Sequence, residues 1–261
     1  MQSFYFGQSV APLYGVYHEP SGGEYRSEAV LICHPIGHEY LRTHRMVKLL
    51  ADRLAALGYY VLRFDYSGTG DSFGDFQDFS PEQWCDDIEL AKQELQSLSG
   101  CQSIHAIGIR FGAAMLAFQS QKTVFASMFL WDPIVDGADY KDQLEKMSVE
   151  MLGSSWWFAK PRPASILEPG EMVGYLYGET CLSWIEGYKL SDVKLDAVTP
   201  IHFIATDYSE AIVDMINELE NSSTTEYVKC FNDMGDWADI KKIDSSITTQ
   251  ETLNYICKEL G

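Results

Sequence analysis

Positive charge is scarce in this chain: 19 Lys and Arg stand against 38 Asp and Glu, a net charge of -19. Nucleic acid and an anionic membrane surface would both repel such a molecule, so neither is expected as a partner. The six cysteines, at positions 33, 85, 101, 181, 230 and 257, form no C-x-x-C pair and no cluster. With no secretory segment at the N-terminus, that pattern predicts reduced thiols in a cytoplasm rather than a disulfide framework. No apolar run approaches the length of a bilayer span, and no internal repeat or low-complexity tract is present. These absences leave a globular protein, and its 261 residues suffice for one large domain, 1–261, carrying an insertion.

The chain turns on one stretch, Ile107-Gly108-Ile109-Arg110-Phe111-Gly112-Ala113-Ala114. An apolar, β-branched run reaches a glycine, turns through Arg110 and leaves through small residues into Met115-Leu116-Ala117-Phe118. That predicts a strand, a tight elbow and a buried helix, with Gly108 and Gly112 allowing strand and helix to approach where a Cβ would clash. In the usual G-x-S-x-G elbow the apex is a serine. Here it is Arg110, a permanent cation that cannot attack a carbonyl but can hold a carboxylate or phosphate in a two-pronged hydrogen bond.

Around the elbow, apolar patterning predicts strands over 3–7, 12–18, 29–33, 59–64, 126–131, 200–205 and 225–231. Helices are expected over 43–57, where Gly58 closes the apolar stripe, from Pro81 to about residue 98, over about 209–219, and over 249–260. Strands alternating with helices imply right-handed crossovers and a mostly parallel sheet with helices on both faces. The alternation lapses over about 136–199, which reads as a lid inserted between the sixth and seventh strands.

The motifs His34-Pro35-Ile36-Gly37-His38-Glu39, Arg63-Phe64-Asp65-Tyr66-Ser67-Gly68-Thr69-Gly70-Asp71-Ser72, the elbow, and Leu130-Trp131-Asp132-Pro133 resemble the α/β-hydrolase fold over nearly the whole chain. More narrowly, they resemble the serine aminopeptidase-like hydrolases associated with bacterial exosortase A systems. The resemblance implies a bacterial exopolysaccharide or surface-protein setting. It also implies a serine at the elbow, an acid after the sixth or seventh strand and a histidine after the last. The acid is matched by Asp207 or, alternatively, Asp132. The histidines are at 18, 34, 38, 44, 105 and 202, so none follows the last strand, where the loop reads Gly235-Asp236-Trp237. Losing serine or histidine from such a unit typically removes about 10⁶ in turnover, which rules out an ordinary serine hydrolase.

The residues therefore point to a non-catalytic or accessory binder of an acyl- or carboxylate-bearing small molecule, or of a protein partner. Arg110 either pairs with Asp132 or Asp207 as architecture or holds the ligand's anion, helped by the helix N-terminus behind it. The alternative is an acyl hydrolase, transferase or lyase using Arg110 as clamp, Asp207 as acid and His34 or His38 as base. A third reading is a docking protein whose pocket is filled by Trp237 or the lid aromatics. The expected binding set is Arg110, Phe111, Gly37, Asp132, Trp237 and Trp156. No cofactor is expected, and His34, His38, Glu39 and His44 match no metal-binding spacing.

Overall fold

The computed structural model describes residues 1–22, 25–195, 199–206, 212–215, 226–231, 235–243, 245, 247 and 249–261. An antiparallel hairpin, β1 (Gln2–Gln8) and β2 (Ala11–His18), opens the chain. It is followed by β3 (Glu28–Cys33), α1 (His38–Ala56), β4 (Tyr60–Phe64), α2 (Pro81–Ser99), β5 (Ser103–Ile109), α3 (Phe111–Gln119) and β6 (Ser127–Trp131). Then come α4 (Gly137–Gly153), a small ribbon of β7 (Glu171–Met172) and β8 (Tyr175–Leu176), and α5 (Glu179–Gly187). The chain returns to the main sheet with β9 (Ile201–Ala205) and β10 (Glu226–Cys230), and closes with α6 (Gln250–Leu260).

The eight sheet strands lie in the order β1-β2-β4-β3-β5-β6-β9-β10. Pairing is antiparallel from β1 through β2 to β4 and parallel from β4 across to β10. Because side chains alternate along a strand, each buried strand feeds two cores. Val30, Ile32, Ile107, Ile109, Phe129 and Trp131 meet α1 and α6. Ala29, Leu31, Cys33, Ala106, Met128 and Leu130 meet α2 and α3 on the opposite face.

Two departures from the periodic reading matter for the site. The helix expected from residue 43 begins five residues earlier, at His38, with Gly37 (φ 59) as its N-cap. Its first turn buries Glu39, Arg42 and Thr43, which carry no apolar signal. The segment between β6 and β9 also contains α5, which its composition did not announce. This segment packs directly on the elbow: Tyr140 of α4 stacks on Phe111 at 5.9 Å, and Trp184 of α5 meets Phe111 edge-on at 5.7 Å. Of the helix expected over 209–219, only residues 212–215 are described, and they are helical.

α4 is held at its start by Asp136, whose carboxylate accepts from Ala138 N at 2.9 Å and Asp139 N at 3.3 Å, satisfying two otherwise orphaned N–H groups. Asp136→Ala is expected to lower global stability by about 1 kcal/mol, read from the urea midpoint; Asp136→Asn should recover most of it.

Candidate functional site

The elbow forms between β5 and α3. Arg110 sits at its apex with φ 54 and ψ -120, a conformation that non-glycine residues adopt at a cost, and its N–H donates to the Trp131 carbonyl at 2.8 Å. Both flanking glycines are required by space. A Cβ on Gly108 would stand 2.6 Å from Ala113 Cα, and one on Gly112 would stand 2.2 Å from the His34 carbonyl oxygen.

The guanidinium of Arg110 turns inward and is 5 % exposed. Its Nε donates to Glu39 Oε1 at 2.9 Å and its Nη1 to the Asp132 carbonyl at 3.3 Å. Its charge lies 5.2 Å from the Trp237 ring centre and 5.7 Å from that of Tyr140. Burial alone would weaken its hold on the proton, but Glu39, Tyr140 and Asp132 outweigh that and raise its pKa, so the cation is fixed. Arg110 is ion-paired with Glu39, which was not among the expected partners, and Asp132 offers it a backbone carbonyl. Asp207 lies outside the described residues.

Asp132 follows β6 with a φ of 41 and is fully buried. It accepts from Thr206 N at 2.6 Å, from the Thr206 hydroxyl, and from Trp237 Nε1 at 2.8 Å. Burial pushes its carboxyl above the ordinary range even though these donors pull it down. Trp237 belongs to the loop where a triad would carry its histidine. Its indole N–H makes the hydrogen bond to the acid that an imidazole N–H would make. An indole, however, is a donor only and has no basic lone pair to receive a proton.

The Trp237 loop is clasped from α1. Arg42 Nη1 donates to the carbonyls of Asp236 (2.9 Å) and Trp237 (3.3 Å), and Nη2 to that of Gly235 (3.4 Å). Sequence reasoning singled out neither Glu39 as partner of Arg110 nor Arg42 as this clasp. The signal was present in the row Glu39, Arg42, Thr43, Met46, which continues the buried stripe of α1 at helical spacing through polar residues.

His34 and His38 lie beside this network. Burial, aided by Arg63 and His44, depresses the His34 pKa to about 3; its ring packs 5.4 Å from Tyr40, and its Nδ1 has no hydrogen bond. His38 is lowered chiefly by burial, with Glu39 opposing, Arg42 and Arg110 reinforcing, and the Trp237 backbone opposing. Neither of its ring nitrogens makes a hydrogen bond of good geometry. Both rings are neutral at pH 7. Burial pushes the Cys33 thiol up to about 12, so it is no nucleophile. A Cβ on Gly37 would stand 2.7 Å from the Tyr177 hydroxyl. Of the expected binding residues, Trp156 points to solvent, 71 % exposed, while its neighbour Trp157 turns inward and donates to the Ile240 carbonyl at 3.1 Å.

Among the described residues, no three His, Cys, Asp or Glu converge as a metal site would require. Two clefts, of about 270 and 330 Å³, lie away from the elbow apex: one between Phe118 and Trp184, the other between Phe79 and Thr180. No helix among the described residues is long and apolar enough to cross a membrane.

No family model and no curated protein matches the chain. Solved structures do. A Xanthomonas campestris α/β serine hydrolase without lid superposes with a TM-score of 0.61 at 15 % identity, covering 99 % of this chain and 91 % of that one. The ferulic acid-bound Est1E of Butyrivibrio proteoclasticus gives 0.66 at 14 %, covering 98 % and 96 %. A proline iminopeptidase of Mycobacterium smegmatis gives 0.65 at 13 %, covering 99 % and 97 %. The fold is that of the α/β hydrolases.

Proposed function

We propose that this α/β-hydrolase fold works by binding rather than by catalysis, as an accessory protein whose elbow is filled from within. The observation that carries this is the Trp237 indole, donating to Asp132 where a base would have to accept and release protons. The elbow apex is an arginine rather than a nucleophile, and its charge is already paired with Glu39. The Glu39 carboxylate already occupies the Nε side of Arg110, so an acyl or carboxylate ligand would compete with it for the guanidinium, and the reading favours a partner at the surface over a small molecule at the apex.

A second reading, an enzyme of altered mechanism, is favoured by His38. It is buried, neutral and without a hydrogen bond of good geometry at either ring nitrogen, beside Glu39 and Arg110, as an unused base would be.

The deciding assay is hydrolysis of p-nitrophenyl acetate, butyrate and octanoate by the wild type, beside His38→Ala, Arg110→Ala and a protein-free blank. Wild-type rates equal to the blank are expected. Wild-type turnover above the blank that disappears in His38→Ala or Arg110→Ala would replace the binding reading with the second.

A further inference from the structure

β1 is the free edge of the sheet, and among the described residues no strand pairs with its outer side. Exposed edges in soluble proteins are ordinarily guarded by charged side chains, proline or extreme shortness, because their unpaired N–H and C=O groups template another strand. The opposite edge follows that rule, since β10 carries the exposed Lys229 in its five residues. β1 does not. It runs for seven residues, Gln-Ser-Phe-Tyr-Phe-Gly-Gln, with no charge and no proline. All 38 acidic and 19 basic residues of the chain lie beyond position 18, so the whole β1–β2 hairpin is free of charged side chains. Its surface is uncharged and carries two exposed apolar residues: Tyr5 is 61 % and Val10 75 % exposed, and Tyr5 forms an edge-on pair with the half-buried Tyr14 at 5.5 Å.

We infer that β1 pairs antiparallel with β1 of a second copy of this chain, joining two sheets across a two-fold axis. Charge selects that occupant. A net -19 makes two copies repel over most of their surfaces, and the charge-free hairpin is where they can approach without bringing carboxylates together. The strand is also its own complement. With the axis at Tyr5, Tyr5 faces its symmetry mate, Phe4 faces Phe6, Ser3 faces Gly7 and Gln2 faces Gln8, so no pair opposes like charges. The half-buried Phe4 then gains an aromatic neighbour of the kind it already has within the chain, where its ring lies 5.6 Å from Phe6.

Light scattering coupled to size-exclusion chromatography, with wild-type protein up to about 100 µM in physiological salt, reads this directly, because a dimer's population follows concentration. The expected species is twice the chain mass. Tyr5→Lys sets two ammonium groups opposite each other at the axis and is expected to weaken dimerisation by at least about tenfold. Ser3→Lys, on the same exposed face, serves as the second variant, and circular dichroism establishes that both are folded. Trp156→Lys, at an exposed aromatic far along the chain, should leave the dimer intact. A monomeric wild type, a dimer that survives both β1 variants, or a dimer lost in Trp156→Lys overturns the inference.

Discussion

Glu39→Ala is expected to cost about 3–5 kcal/mol of unfolding free energy, because it strips the counter-charge from a guanidinium that is almost fully out of water. Arg110 is 5 % and Glu39 1 % exposed, so neither solvent nor salt can replace the lost partner. The Asp132 carbonyl, at 3.3 Å, and the faces of Trp237 and Tyr140 orient the guanidinium but do not neutralise it. The double variant Glu39→Gln/Arg110→Met removes both charges and should recover most of the loss, since a buried pair exchanged for apolar groups of similar size is often close to neutral. A double-mutant cycle in urea isolates the coupling. A single-variant loss below about 1 kcal/mol would mean that Arg110 finds its counter-charge elsewhere, and the locked reading of the elbow would fall with it.

The pair also accounts for what was legible in the sequence and what was not. Strand, elbow and crossover helices announce themselves through apolar periodicity and through Gly108 and Gly112, because those signals are local. That the elbow apex is Arg110 and that no histidine follows residue 202 are equally local observations. Trp237 was visible only as an aromatic in the right loop; its hydrogen bond to Asp132 joins positions 105 residues apart. Glu39 stayed hidden because an acidic residue beside a strand end looks like solvated loop. Only the fold brings it to Arg110, 71 residues away, and starts α1 at His38 so that its first turn faces inward. The exposure of Trp156 beside the inward Trp157 has the same character, since adjacent residues of one type carry no sequence mark of which way each points.

Acid is expected to destabilise the protein well above the usual carboxylate range, with about 4 kcal/mol lost between pH 8 and pH 5 from His18 and His34 together, roughly 2 kcal/mol from each. All six histidines are pushed below their ordinary value of 6.5, burial being the largest cause at each, and His18 and His34 go furthest, to about 4 and about 3. Between 6.5 and those folded-state values the unfolded chain binds protons that the folded chain refuses. Stability therefore rises with pH across that window and falls as the medium is acidified. For His18 the reason is geometric as well. Arg63 Nε donates to its Nε2 at 3.3 Å, so that nitrogen must stay unprotonated, and the proton on Nδ1 faces Asp52 at 3.1 Å. Asp65, Asp87 and Asp132, pushed upward by burial, act in the opposite sense, because the folded state takes up their protons first. The histidine contribution is thus read from differences: urea unfolding from pH 8 to pH 5 should show His34→Gln and His18→Gln each losing about 2 kcal/mol less than wild type over that span. Parallel profiles in wild type and both variants would mean that these rings open to water before they are protonated.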